Sequence, residues 1–147
     1  MANTLIQKIV ETWVRDHVLA EKYECQFAER QLPLSWGGKF KFDAVSDDGQ
    51  IAANISSSPG KTSRGRSASG KIHKIKSDTL YLTNVIGPTT RVQVFTEQSM
   101  AEHFTKEVKN GRYPSDVVLL AVELPVSIQE QVTNVRKIAV DEVTPST

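Results

Sequence analysis

Lys39-Phe40-Lys41-Phe42-Asp43-Ala44-Val45, then Asp47-Asp48-Gly49, then Gln50-Ile51-Ala52-Ala53-Asn54-Ile55-Ser56 is the stretch on which the fold turns. Both arms alternate apolar and polar side chains with the two-residue period of a half-buried strand. Asp-Gly between them tolerates the positive φ angles of a tight turn, so the reading is an antiparallel hairpin. Along the return strand, Ala52, Asn54 and Ser56 share one face and Ile51, Ala53 and Ile55 the other. On the first strand Lys39, Lys41 and Asp43 share a face opposite Phe40 and Phe42. An acid on one strand thus meets a polar pair, Asn54 and Ser56, on its partner.

Upstream of the hairpin, Leu5, Ile6, Ile9, Val10, Trp13, Val14 and Val18 follow the 3.6-residue period of an amphipathic helix, with Thr4 and Gln7 spaced as a capping box. Such a helix covers one face of a sheet. Asp16 and Glu21 sit on the flanks of its stripe, where a carboxylate can look into a site, although a solvated flank is the commoner role. Cys25, Phe27 and Ala28, followed by residues 30–34, fit a first strand that runs into Pro33.

Downstream, residues 57–70 carry no periodic apolar positions and many Ser, Gly, Lys and Arg, which predicts a mobile surface loop. Residues 71–78 predict a short helix with Ile72 and Ile75 inward. The β-branched and aromatic residues 79–86 predict a central strand, ended by Gly87-Pro88. Residues 91–95 alternate as another strand. Ser99 and Glu102 form a capping box for a helix turning Met100, Phe104 and Val108 inward, stopped by Asn110-Gly111. Residues 117–124 are nearly all apolar, the composition of an inner strand buried on both faces. Ser127 and Glu130 cap a last helix carrying Ile128, Val132, Val135 and Ile138, and the tail from Thr144 reads as loose. The expected architecture is α/β, a mixed central sheet with helices on both faces, forming one domain over residues 1–143.

Composition narrows the function classes. The 147 residues suit a single domain, and 18 Lys plus Arg against 17 Asp plus Glu leave a net charge of +1 and no global field toward nucleic acid or membrane. Cys25 is the only cysteine, which excludes an internal disulfide, and His17, His73 and His103 lie in no zinc-binding spacing. A reducing, cytoplasmic setting follows as the expectation. Lys8, Glu11, Arg15 and Asp16 break up the N-terminal apolar pattern, so it reads as neither a signal peptide nor a membrane span.

Charge asymmetry is instead local. Lys61, Arg64, Arg66, Lys71, Lys74 and Lys76 follow one another with no acid before Asp78, a composition able to track a phosphate backbone; a solvated loop is the competing reading. Gly60-Lys61-Thr62 is not a nucleotide-binding P-loop, because that motif needs glycine where Ile55 stands. His73 and His103 have no serine or ligand partner in a recognised spacing, and Cys25 reads as a small apolar side chain.

The leading helix, the strand ending in Phe42-Asp43-Ala44-Val45, the return strand and the Lys/Ile helix leading to a hydrophobic strand resemble a restriction-endonuclease-like domain of the PD-(D/E)xK nuclease superfamily. The resemblance spans residues 4–125, and Asp43 is its literal motif match. It implies that Asp43 and a second acid hold Mg²⁺ or Mn²⁺ while a lysine two residues beyond that acid orients the attacking water. Those two positions are Asn54 and Ser56 here. Asparagine brings a carbonyl oxygen without charge, and serine brings no ammonium. A lysine from elsewhere, Lys61, Lys71 or Lys74, is the remaining source. The resemblance therefore implies nucleic-acid binding by the six cations with weak or no phosphodiester hydrolysis, and a homodimer as the assembly. Two alternatives stand beside it: an interaction module of a restriction, repair or toxin system, and an active metal-dependent nuclease with a migrated lysine.

Overall fold

The structure, a computed structural model, describes residues 2–62 and 64–143; the tail expected from Thr144 lies outside the described residues. Helix α1 (Ala2–Val14) runs on through a π turn (Arg15–Leu19) into α2 (Ala20–Tyr23), and Glu24 ends it in the left-handed conformation at φ 55°. Strands β1 (Phe27–Pro33), β2 (Lys39–Ser46) and β3 (Ile51–Ser56) form an antiparallel meander. Helix α3 (Ser69–Thr83) crosses to β4 (Thr90–Phe95), which pairs parallel with β3, and α4 (Gln98–Lys109) crosses to β5 (Val117–Ala121), parallel with β4. Helix α5 (Val126–Val143) closes the described chain. The sheet is open and mixed, in the order β1-β2-β3-β4-β5.

Two cores flank this sheet. On one face Val10, Val14 and Leu19 pack with Ala44, Ala53, Ile55, Val92, Val94 and Val132, so the first and last helices cover it. On the other, Ile72, Ile75 and Leu82 of α3 and Met100 and Phe104 of α4 pack on Phe42, Ala52 and Phe95. The hairpin turn forms as its sequence predicts. Gly49 sits at φ 74°, and Asp48 Oδ1 accepts from Ser46 Oγ at 2.7 Å and from the Gln50 amide at 3.0 Å.

Three expectations are corrected. Residues 79–83 are the end of α3, because Thr79 and Leu82 continue the buried stripe of Ile72 and Ile75 at helical spacing, and the Thr79 hydroxyl donates to the Ile75 carbonyl at 2.8 Å. A β-branched composition had masked a 3.6-residue period. Strand β5 is shorter than residues 117–124 and lies at the sheet edge, with Val118 exposed, so it is not an inner strand. The capping boxes do not form. Helix α1 already includes Ala2, α4 starts at Gln98 behind an extended Glu97 that makes no side-chain cap, and α5 starts at Val126.

Residues 57–62 and 64–68 form the surface loop expected between β3 and α3, folded back on itself. Lys61 pairs with Ser67 across an isolated bridge, the Thr62 amide donates to the Arg66 carbonyl at 2.6 Å, and Gly65 turns at φ 76°. The Ser99 hydroxyl, expected to cap α4, accepts instead from the Gly60 amide at 2.9 Å. That contact pins the loop to α4 so tightly that a Cβ on Gly60 would sit 2.8 Å from the Ser99 carbonyl oxygen. Among the described residues no helix is long and apolar enough to cross a membrane.

Candidate functional site

Strand register places the site. Ala28 pairs with Val45 and Arg30 with Phe42, so two steps along β1 match three along β2, and the extra residue is a β-bulge at Asp43 and Ala44. The strict alternation expected through Asp43 therefore stops at Phe42. Phe42 and Val45 pack in the core under α3 and α4, while Ala44 turns to the core under α1. Beyond the pairs Ala44 with Ala53 and Val45 with Ala52, β2 and β3 part. Asp43 stands where they part, at the head of a cleft of about 560 Å³ running between α1 and α3. Arg15, in the π turn, holds the bulge by donating to the Asp43 carbonyl at 2.8 Å.

Asn54 and Ser56 line this cleft with Asp43, and Ile55 between them lines it too. Asp43 Oδ2 accepts the Ile55 amide at 2.8 Å, which holds its pKa down, yet burial outweighs this bond and Glu11 and Asp78 add their negative fields. The carboxyl is pushed up to about 7. Glu11 accepts from Gln7 Nε2 at 2.8 Å, and Asp78 pairs with Lys74 at 2.9 Å.

The cations separate into three groups. Lys71 and Lys74, from the first turns of α3, line the cleft. Lys76 points away and pairs with Glu107 of α4 at 2.7 Å. Lys61, Arg64 and Arg66 lie exposed on the loop tip, outside the cleft lining and in none of the ion pairs among the described residues. Within the cleft, acids match bases: Lys41 pairs with Glu29 at 3.2 Å and Lys74 with Asp78, leaving Lys8 and Lys71 as its ammoniums outside ion pairs among the described residues. The groove is locally basic at the loop and nearly balanced inside.

Most of the other lining residues escape the sequence reading, Gln7, Glu11 and Gln93 among them. Gln7 and Glu11 project from α1, whereas the flank acids Asp16 and Glu21 are exposed and outside the lining. Polar positions Thr4, Gln7, Lys8 and Glu11 recur at helical spacing beside the apolar stripe, a signal that could have found them. Gln93, fully buried on β4, had no such signal, because its place beside Asn54 depends on a parallel crossover. His73 is exposed on α3, His103 lies beside Glu107, and Cys25 is partly buried; all three lie outside the cleft.

For a divalent cation the donor set falls short. Among the described residues no three His, Cys, Asp or Glu side chains are grouped to hold a metal ion. Asp43 is a single carboxyl that burial drives toward its neutral form, and Asn54 contributes no charge. No known protein family, curated protein or solved structure matches the chain.

Proposed function

We propose that this chain is a divergent PD-(D/E)xK nuclease-like protein, restriction-endonuclease-like in fold, that binds nucleic acid with weak or no phosphodiester hydrolysis. The observation that carries the reading is the parting of β2 and β3 at Asp43, with Asn54 and Ser56 on the neighbouring strand of the same cleft. The element order supports it: a helix, an antiparallel three-strand meander, a helix and a parallel strand. Binding rests on Lys61, Arg64 and Arg66 at the loop tip, with Lys71 at the cleft rim. Weak hydrolysis rests on a donor set with one carboxyl and no lysine at position 56.

The test is incubation of labelled single- and double-stranded DNA and RNA with Mg²⁺ or Mn²⁺, alongside binding at two salt concentrations. The expected result is salt-sensitive binding with the strands left intact. A second reading, an active nuclease with a migrated lysine, is favoured by Lys71 and Lys74 lining the cleft that holds Asp43; Lys61 is outside it. Metal-dependent cleavage abolished by Asp43→Ala and by Lys71→Ala or Lys74→Ala would establish that reading. A third, an interaction module, draws on Trp36, Leu80 and Ile86, large apolar side chains that stand more than half exposed. Binding of a protein that survives high salt and Lys61, Arg64 and Arg66 substitution would favour it.

A further inference from the structure

The floor of the cleft carries Gln93, which the nuclease resemblance does not use, beside Asn54, which stands at its second-acid position. Asn54 and Gln93 are directly paired across β3 and β4, and both line the cleft although they are 5% and 1% exposed. Gln93 donates its Nε2 to the Val94 carbonyl at 3.2 Å, and among the described residues neither its Oε1 nor Asn54 Nδ2 has a partner. A buried polar group left unpaired is destabilising, because it has given up its water without a partner in exchange. Two such groups, an amide donor and an amide acceptor on paired residues of neighbouring strands, therefore lie covered in the floor of the cleft.

Their surroundings define what would satisfy them. Phe40, stacked on Tyr81 with ring centroids 4.4 Å apart, and Ile75 give the cleft apolar wall, which suits a flat group. With Lys41 and Lys74 already paired to acids, Lys8 and Lys71 are the ammoniums left for an anion, enough for one phosphate rather than a tract. The volume of about 560 Å³ lies in the usual range for a small-molecule site.

We infer that the cleft takes up one nucleotide unit, with the Asn54 and Gln93 carboxamides reading the hydrogen-bonding edge of an unpaired nucleobase and Lys71 or Lys8 meeting its phosphate. The inference rests on the nucleic-acid reading above and sharpens it: the cleft holds a base, and the loop tip holds the flanking backbone. A base in a duplex presents its pairing edge to its complement, so a single strand or an extruded base is the form accepted. The base comes either from a free nucleotide or from within a strand, and the chemistry at Asn54 and Gln93 is the same in both.

The experiment follows the side-chain NH₂ resonances of Asn54 and Gln93 in the full chain during titration with the nucleoside 5′-monophosphates, single-stranded oligonucleotides, the matching duplex and inorganic phosphate. Both resonances are expected to shift with at least one base, in mononucleotide or single strand, and not with duplex or phosphate. A shift with mononucleotide identifies a free nucleotide as the source; a shift with strand alone identifies a base held within a chain. Asn54→Leu should melt no lower than the parent, since it replaces a buried, unpaired amide nitrogen with an apolar side chain of similar size, and Gln93→Leu, which removes an unpaired oxygen but also the bond to the Val94 carbonyl, should melt close to the parent. Each should also weaken single-strand binding about tenfold, the loss of roughly one good hydrogen bond. Unshifted resonances and unweakened variants in a protein that still binds strands salt-sensitively would overturn the base site and leave the nucleic-acid reading standing. Equal shifts with inorganic phosphate would overturn it as well. Failure of every probe to bind would overturn both.

Discussion

Asp43 Oδ2 accepts a hydrogen bond from the Ile55 backbone amide at 2.8 Å, a side chain taking the place of a strand carbonyl where β2 has left β3. The residue that resembles a catalytic acid therefore also completes the sheet. Substitutions that separate charge from hydrogen bonding distinguish the two roles.

Asp43→Asn keeps an acceptor for Ile55 and removes the charge. The folded carboxyl holds its proton up to about pH 7, while the unfolded one releases it near 3.8, so the folded state binds more protons between these values. Stability is then full below about pH 4, falls as pH rises toward 7 and stays lowered above it. The loss is at most about 4 kcal/mol. Denaturant melts should show Asp43→Asn more stable than the parent at pH 8, equal to it near pH 4, and flatter between. Asp43→Ala strands the Ile55 amide and should be less stable than Asp43→Asn by about 1–3 kcal/mol at each pH.

Substituting Lys61, Arg64 and Arg66 together by Gln should leave the melting temperature unchanged, because the three are exposed and outside the ion pairs among the described residues. Fluorescence anisotropy against salt should show the log–log slope reduced by about 2 to 3. Lys76→Gln should instead lower stability with little effect on that slope, since Lys76 is engaged by Glu107.

Gly60→Ala is expected to destabilise by about 1–3 kcal/mol, because its new methyl meets the Ser99 carbonyl and the backbone of Met100 rather than movable side chains. Calorimetry of Gly60→Ala beside Gly70→Ala, which has open space, checks this.

Val94→Asp should abolish folding, as Val94 is fully buried on β4 in the sheet interior. Val118→Asp, on the exposed side of edge strand β5, should cost less than about 1 kcal/mol. Leu119 and Leu120, half-buried against opposite cores, should fall between when changed to Asp. Circular dichroism of the four variants orders them.

The hairpin of β2 and β3 was legible because local alternation and an Asp-Gly turn encode it within eighteen residues, and the facing of Asn54 and Ser56 came with it. The bulge at Asp43 was not legible, since an extra residue in a strand shows only in the pairing with β1. Thr79 and Leu82 misled because β-branched composition outweighed the helical spacing that their burial reveals. Gln93 needed the whole β3-α3-β4 crossover before it had a neighbour. The loop cations were visible as a run, but only folding separates Lys76, drawn to α4, from Lys71 and Lys74 at the cleft.

Ser57, the first residue after β3, is held from both ends of the fold. Its hydroxyl donates to Gln7 Oε1 of α1, and its carbonyl accepts from Arg136 of α5, which also pairs with Glu97 ahead of α4. During synthesis every strand emerges before Arg136 does. The segment leading into the basic loop is thus fastened in two stages: a nascent chain already able to pair its five strands has the contacts to Gln7 and Ser99 but still lacks the one from Arg136.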